Sequence, residues 1–164
     1  MKGIRIIGVG NEMAGDDAVG PAVIEALRGR ALPECVELIC AGADALGVLE
    51  YLEDDVSVVI VDAARMGHAP GNVLTFPAAN AKVNIVADAW SLHGIGLAHV
   101  LKLAEQMRLP ARVTIVGIEP ASVQPGQGMS LAVVAAIPKA VDSVESIVRS
   151  ECEAACAAPA PRRS

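Results

Sequence analysis

Apolar residues along this chain fall into short continuous runs, separated by segments in which they recur at helical spacing. Five runs rich in Val and Ile predict strands: Ile4 to Val9, Val36 to Cys40, Val56 to Asp62, Val73 to Phe76 and Val113 to Glu119. Unbroken apolarity, in place of alternation with polar residues, is what strands covered on both faces show. Between the runs, Asp17 to Arg28 places Val19, Val23, Ile24 and Leu27 on one stripe, and Ala43 to Leu52 does the same with Leu46, Leu49 and Tyr51 or Leu52. His93 to Met107 carries Leu97, Val100, Leu101 and Ala104. A last helix runs from Ser130 or Lys139 to Ala157, and Pro138 is expected to end its first turn or kink it.

Alternating strands and helices predict an α/β fold, a three-layer sandwich with a twisted, mostly parallel five-stranded sheet and helices on both faces. Val73 to Phe76 follows the third strand across AARMGHAPGN with no helix between, so it is expected as an antiparallel edge strand. The length of 164 residues suits one core rather than two. Residues 1–157 are read as a single domain and 158–164 as a frayed tail.

Composition narrows the classes. With 53% hydrophobic but only 2% aromatic residues, the core must be aliphatic, and no base-stacking platform is available. A net charge of −6 lacks the basic footprint that nucleic acid requires. The cysteines Cys35, Cys40, Cys152 and Cys156 form no CxxC pair and read as reduced thiols. The N-terminal apolar run is too short for a signal peptide, and no run reaches spanning length, so a cytoplasmic protein without a membrane partner is expected. A monomer is the default.

In an open α/β sheet, ligands bind beyond the carboxyl ends of the strands, which directs attention to the residues after each apolar run. GVGNEMAGDD carries Gly8 and Gly10 but Met13 at the third glycine position, and Asp16 and Asp17 would repel a pyrophosphate, so it does not read as a dinucleotide loop. One of these acids suffices as a helix cap; with Asp16 as the cap, Asp17 falls in the first turn beside the crevice. Asp62 ends the most apolar run, where a carboxylate raises the free energy unless it is paired or bound to a metal. His93 opens a helix, whereas His99 lies on a different face of it and His68 sits in a loop, so those two are read as surface or neighbouring residues. Two carboxylates and one imidazole suit a divalent transition metal with open positions. No GxSxG elbow, Walker loop or thiol-protease surroundings are present.

GVGNEMAGDDAVGP, VDAARMG with APG after it, SLHGIGL and VGIEP together resemble the hydrogenase maturation proteases, which trim the C-terminus of the nickel-iron hydrogenase large subunit. The similarity runs from Ile4 to about Val148. It implies a five-stranded mixed sheet between helices, a metal-dependent endopeptidase, and a large-subunit precursor as partner. It implies Asp17, Asp62 and His93 as the metal-contacting and catalytic positions, with Asp16 as second choice for Asp17. Many family members carry glutamate where Asp17 stands, and DGG where this chain has Cys40, Ala41 and Gly42. Nickel is then expected to arrive with the client, other divalent ions standing in for it in vitro, and to polarise the scissile carbonyl. A non-catalytic assembly factor that checks a client for nickel needs the same ligands and remains the alternative. A nucleotide- or flavin-binding domain is disfavoured by Asp16 and Asp17.

Overall fold

A computed structural model of the chain describes residues 3–80, 97–107 and 112–157, with only the backbone of 97–99 and of 157. His93 and residues 158–164 lie outside the described residues. The strands are β1 (Gly3–Val9), β2 (Val36–Gly42), β3 (Val56–Ala63), β4 (Val73–Pro77) and β5 (Arg112–Ile118). The helices are α1 (Val19–Arg28), α2 (Leu97–Gln106) and α3 (Leu131–Ala157). The strands form one sheet in the order β2-β1-β3-β5-β4. All neighbours are parallel except β4, which runs antiparallel to β5 at the edge, with Val73 opposite Ile118 and Phe76 opposite Ile115.

The apolar runs are continuous because both faces of the sheet are covered. Along β3, Val59 and Val61 point into one cluster with Val19, Val23, Ile24 and Leu27 of α1 and Val133 and Val144 of α3. Val58 and Ile60 point into the other, with Val48, Phe76 and the Val100, Leu101 and Ala104 stripe of α2. The period of two along the strand thus divides the core between two helix layers. Burying one such aliphatic side chain stabilises the fold by about 2 kcal/mol.

Three elements differ from the expectation. Ala43 to Leu52 forms only a 3₁₀ turn, Leu46–Tyr51. The Asp44 carboxylate accepts the Gly47 amide at 3.1 Å, a local alternative to helix, and within Leu46–Tyr51 only Val48 is buried. The segment from Asp17 opens with a second 3₁₀ turn, Gly15–Ala18, before α1 begins. The last helix runs through Pro138 without a break. The carbonyl that proline leaves unpaired is that of Val134, an exposed residue that water can reach.

Candidate functional site

The connections from β1 and β3 leave in opposite directions: β1 leads through α1 to β2, and β3 leads through β4 and α2 to β5. The carboxyl ends of β1 and β3 therefore flank the switch point of the sheet, where α/β proteins bind ligands. Gly20 lets α1 start directly on this spot: a Cβ there would lie 2.6 Å from the Val61 carbonyl oxygen and nearer still to that of Val9.

The loop after β1 turns back on itself to present Asp17. Gly10 adopts φ +138°, and a Cβ on it would overlap the Asp17 carbonyl oxygen, so no other residue fits without moving the loop. The Gly10 amide donates to the Gly42 carbonyl at 2.8 Å, tying this loop to the end of β2. The Asn11 amide donates to Asp17 Oδ2 at 2.8 Å and fixes the carboxylate. Asp62, at the end of β3, is half-buried. Burial and then the facing charge of Asp17 push its carboxyl well above the ordinary carboxylate range, against the opposing hydrogen bond from the Ala63 amide. The two predicted acids are thus brought close enough to feel each other, from positions 17 and 62 of the chain. Like charges facing one another in a desolvated place form a site that a cation or a shared proton stabilises.

Asp16, its sequence neighbour, is 1% exposed and has a different task. Its Oδ2 accepts the Ala121 amide at 2.7 Å, the Ser122 amide at 3.0 Å and the Ser130 hydroxyl at 3.0 Å, while Oδ1 accepts the Ser130 amide at 2.6 Å. Ser130 precedes α3 and its Oγ accepts the Val133 amide, so Asp16 holds the start of α3 rather than capping α1. Burial acts to raise its pKa, but the donors from Ser130, Ser122 and Ala121 outweigh it and hold the carboxyl below its ordinary value. With these bonds made, its oxygens are committed to the fold.

Glu119 was not among the predicted site residues. It is 5% exposed, and its Oε2 accepts the Met66 amide at 2.6 Å and the His68 amide at 3.2 Å. It thereby pins the loop that follows Asp62. The available signal was the one used for Asp62, a carboxylate directly after an apolar run. His68 is exposed and takes part through its backbone. The His99 side chain, like His93, lies outside the described residues. A groove of about 530 Å³ lies beside this site, lined among others by Glu12, Pro21, Ile24, Arg28, Cys40 and Met129, but neither Asp17 nor Asp62 lines it. Chemistry therefore points to the acid pair and shape to its neighbour; the acid pair is the better candidate because there burial and the charge of Asp17 raise the Asp62 carboxyl at the end of a central strand.

Comparison with known proteins places the chain in a family. The sequence profile of the HycI hydrogenase maturation protease family matches residues 21–147, a span that contains Asp62 and His93 and begins just after Asp17. The hydrogenase 2 maturation protease of Escherichia coli is 31% identical over 149 residues, covering 89% of this chain and 90% of that one. The hydrogenase expression/formation protein HupD of Rhodobacter capsulatus is 28% identical over 74% of this chain, which spans 59% of that longer protein. The structure of the hydrogenase maturating endopeptidase HybD from E. coli superposes with a TM-score of 0.75 at 29% identity, covering 91% of this chain and 93% of that one. The family model spans most of the chain and a relative 31% identical covers 89% of it, so the chain belongs to the hydrogenase maturation protease family.

Proposed function

We propose that this chain is an endopeptidase that removes the C-terminal extension of a hydrogenase large-subunit precursor and recognises the nickel that the precursor carries. The observation that carries the reading is that Asp62 ends the central strand β3 beside the switch point, its carboxyl raised by burial and by the charge of Asp17 from the loop after β1. The relatives' names, a hydrogenase 2 maturation protease and a maturating endopeptidase, supply the client class.

The donor set favours a metal that belongs to the client. Two carboxylates give a weak, hard, incomplete shell for a resident transition metal. His93 is the third donor proposed from the sequence. In the encounter, Asp17 and Asp62 offer oxygens to a cation already held by the client's own ligands, and that cation relieves the repulsion between them. Asn11 keeps the Asp17 carboxylate directed, and the peptide bond next to the metal centre is placed at the crevice.

The test is processing of a nickel-loaded precursor. Asp17→Asn, Asp62→Asn and His93→Ala proteins should leave the client at its longer length on a gel, while the unaltered protein shortens it and mass spectrometry shows a new C-terminus. Normal shortening by the Asp17→Asn and Asp62→Asn proteins overturns the assignment. A client released with its extension intact by the unaltered protein identifies an assembly factor that does not cut.

A further inference from the structure

At the opposite end of the sheet from the acid pair, two thiols meet. Cys35 stands just before β2, and its carbonyl accepts the Ile4 amide at 2.9 Å, so its backbone is held at the start of the sheet. Cys152 lies in the last turns of α3. Their sulfurs are 3.9 Å apart, across 117 residues of chain. The helix end is registered on the sheet by Ser57 of β3, whose buried hydroxyl donates to Glu151 at 2.7 Å. Neither thiol is oxidised, Cys35 is exposed and Cys152 is partly buried.

We infer that Cys35 and Cys152 form a dithiol site that hydrogen peroxide closes to a disulfide, stapling the C-terminal turns of α3 to the sheet. A disulfide holds its sulfurs about 2 Å apart, so closing this pair brings them together by about 2 Å, a displacement within the reach of χ1 rotation of two short side chains. Cys156, one helical turn beyond Cys152, is the competing partner. Side chains four apart on a helix have Cβ atoms about 5–6 Å apart, whereas a disulfide needs about 3.5–4.5 Å, so that pair closes only if the helix unwinds.

Burial and then the neighbouring Cys35 thiol push the Cys152 thiol up, so Cys152 keeps its proton and exposed Cys35 meets the oxidant first. The Cys35 thiolate attacks a peroxide oxygen; the O–O bond breaks, leaving a sulfenic acid and, after protonation, water. The Cys152 sulfur then attacks the Cys35 sulfur; the S–S bond forms, the S–O bond breaks, and the departing hydroxide takes the Cys152 proton as a second water. Two thiols lose two electrons and the peroxide gains them. The closed loop contains most of the fold, where a cross-link restricts the unfolded chain most. The staple lies about 20 Å from the acid pair, the length of a seven-residue strand, and so does not obstruct it.

Reduced protein treated with hydrogen peroxide should lose two alkylatable thiols and the mass of two hydrogen atoms, and should yield one peptide pair linking Cys35 to Cys152. Its thermal midpoint should rise by several degrees and return with dithiothreitol. Cys35→Ser and Cys152→Ala should each abolish both changes, while Cys40→Ser and Cys156→Ser leave them intact. Both thiols still alkylatable after peroxide, a link to Cys156 or to a second molecule, or a linked protein that melts no later than the reduced one would each overturn the inference.

Discussion

Asp16 and Asp17 are adjacent in the chain and opposite in their surroundings. Asp16 is buried with four donors on its two oxygens and stays ionised as part of the fold. Asp17 is half-buried, takes the Asn11 amide, and turns its charge toward Asp62, whose ionisation it opposes. Glu119 belongs with the first kind, since it gathers the Met66 and His68 amides, and Asp62 with the second. A carboxylate supplied with donors stabilises the structure that supplies them. A pair short of donors holds free energy in reserve for whatever cation or proton arrives, and such places are where chemistry is found.

The largest effect should come from emptying the second kind. Asp62→Asn should slow precursor processing about a thousandfold, equivalent to about 4 kcal/mol of transition-state stabilisation, while leaving the fold as stable at neutral pH or more so. Loss of stability together with activity, seen in urea unfolding, would break the contrast by making Asp62 a structural acid. Asp16→Ala should do the reverse in kind: it strands the amides of Ala121, Ser122 and Ser130 and should destabilise the protein by about 3 kcal/mol in the same measurement.

The pH dependence of stability sharpens the contrast because its signs are opposite. The folded-state pKa of Asp16 lies below its unfolded value, so its contribution is present above the unfolded value and is lost as pH falls through the folded one. The folded-state pKa of Asp62 lies above its unfolded value, so the native state binds the extra proton between the two, and stability falls as pH rises through that window. Stability curves against pH should therefore show the Asp62→Asn protein gaining on the unaltered one as pH rises, and the Asp16→Asn protein falling behind it. Parallel curves would remove the distinction. The smallest effect belongs to Glu119→Gln, about 1 kcal/mol, with faster hydrogen exchange confined to the Met66 and His68 amides.

Much of the fold was legible in local pattern. The Val23, Ile24 and Leu27 stripe, the doubly buried run Val58 to Val61, and the antiparallel edge position of Val73 to Phe76 follow from residue spacing and loop length. Pattern failed where side chains compete locally with the backbone, as Asp44 does in shortening the helix expected at Ala43 to Leu52. Pro138 did not end the helix, which starts at Leu131 beside the expected Ser130, and the residue whose carbonyl loses its donor, Val134, is exposed.

By itself, the sequence determined the layered α/β architecture and that acids stand at the ends of the first and third strands, because strand and helix periods and the cost of a carboxylate after an apolar run are local facts. Only the tertiary structure decided which of two adjacent aspartates builds the fold and which faces the crevice. The donors that make the difference, Ala121, Ser122 and Ser130, lie 105 to 114 residues away from Asp16, and the charge that perturbs Asp62 comes from another loop. Hydrogen bonds and charges act over a few ångströms of space, and the distance along the chain does not report them.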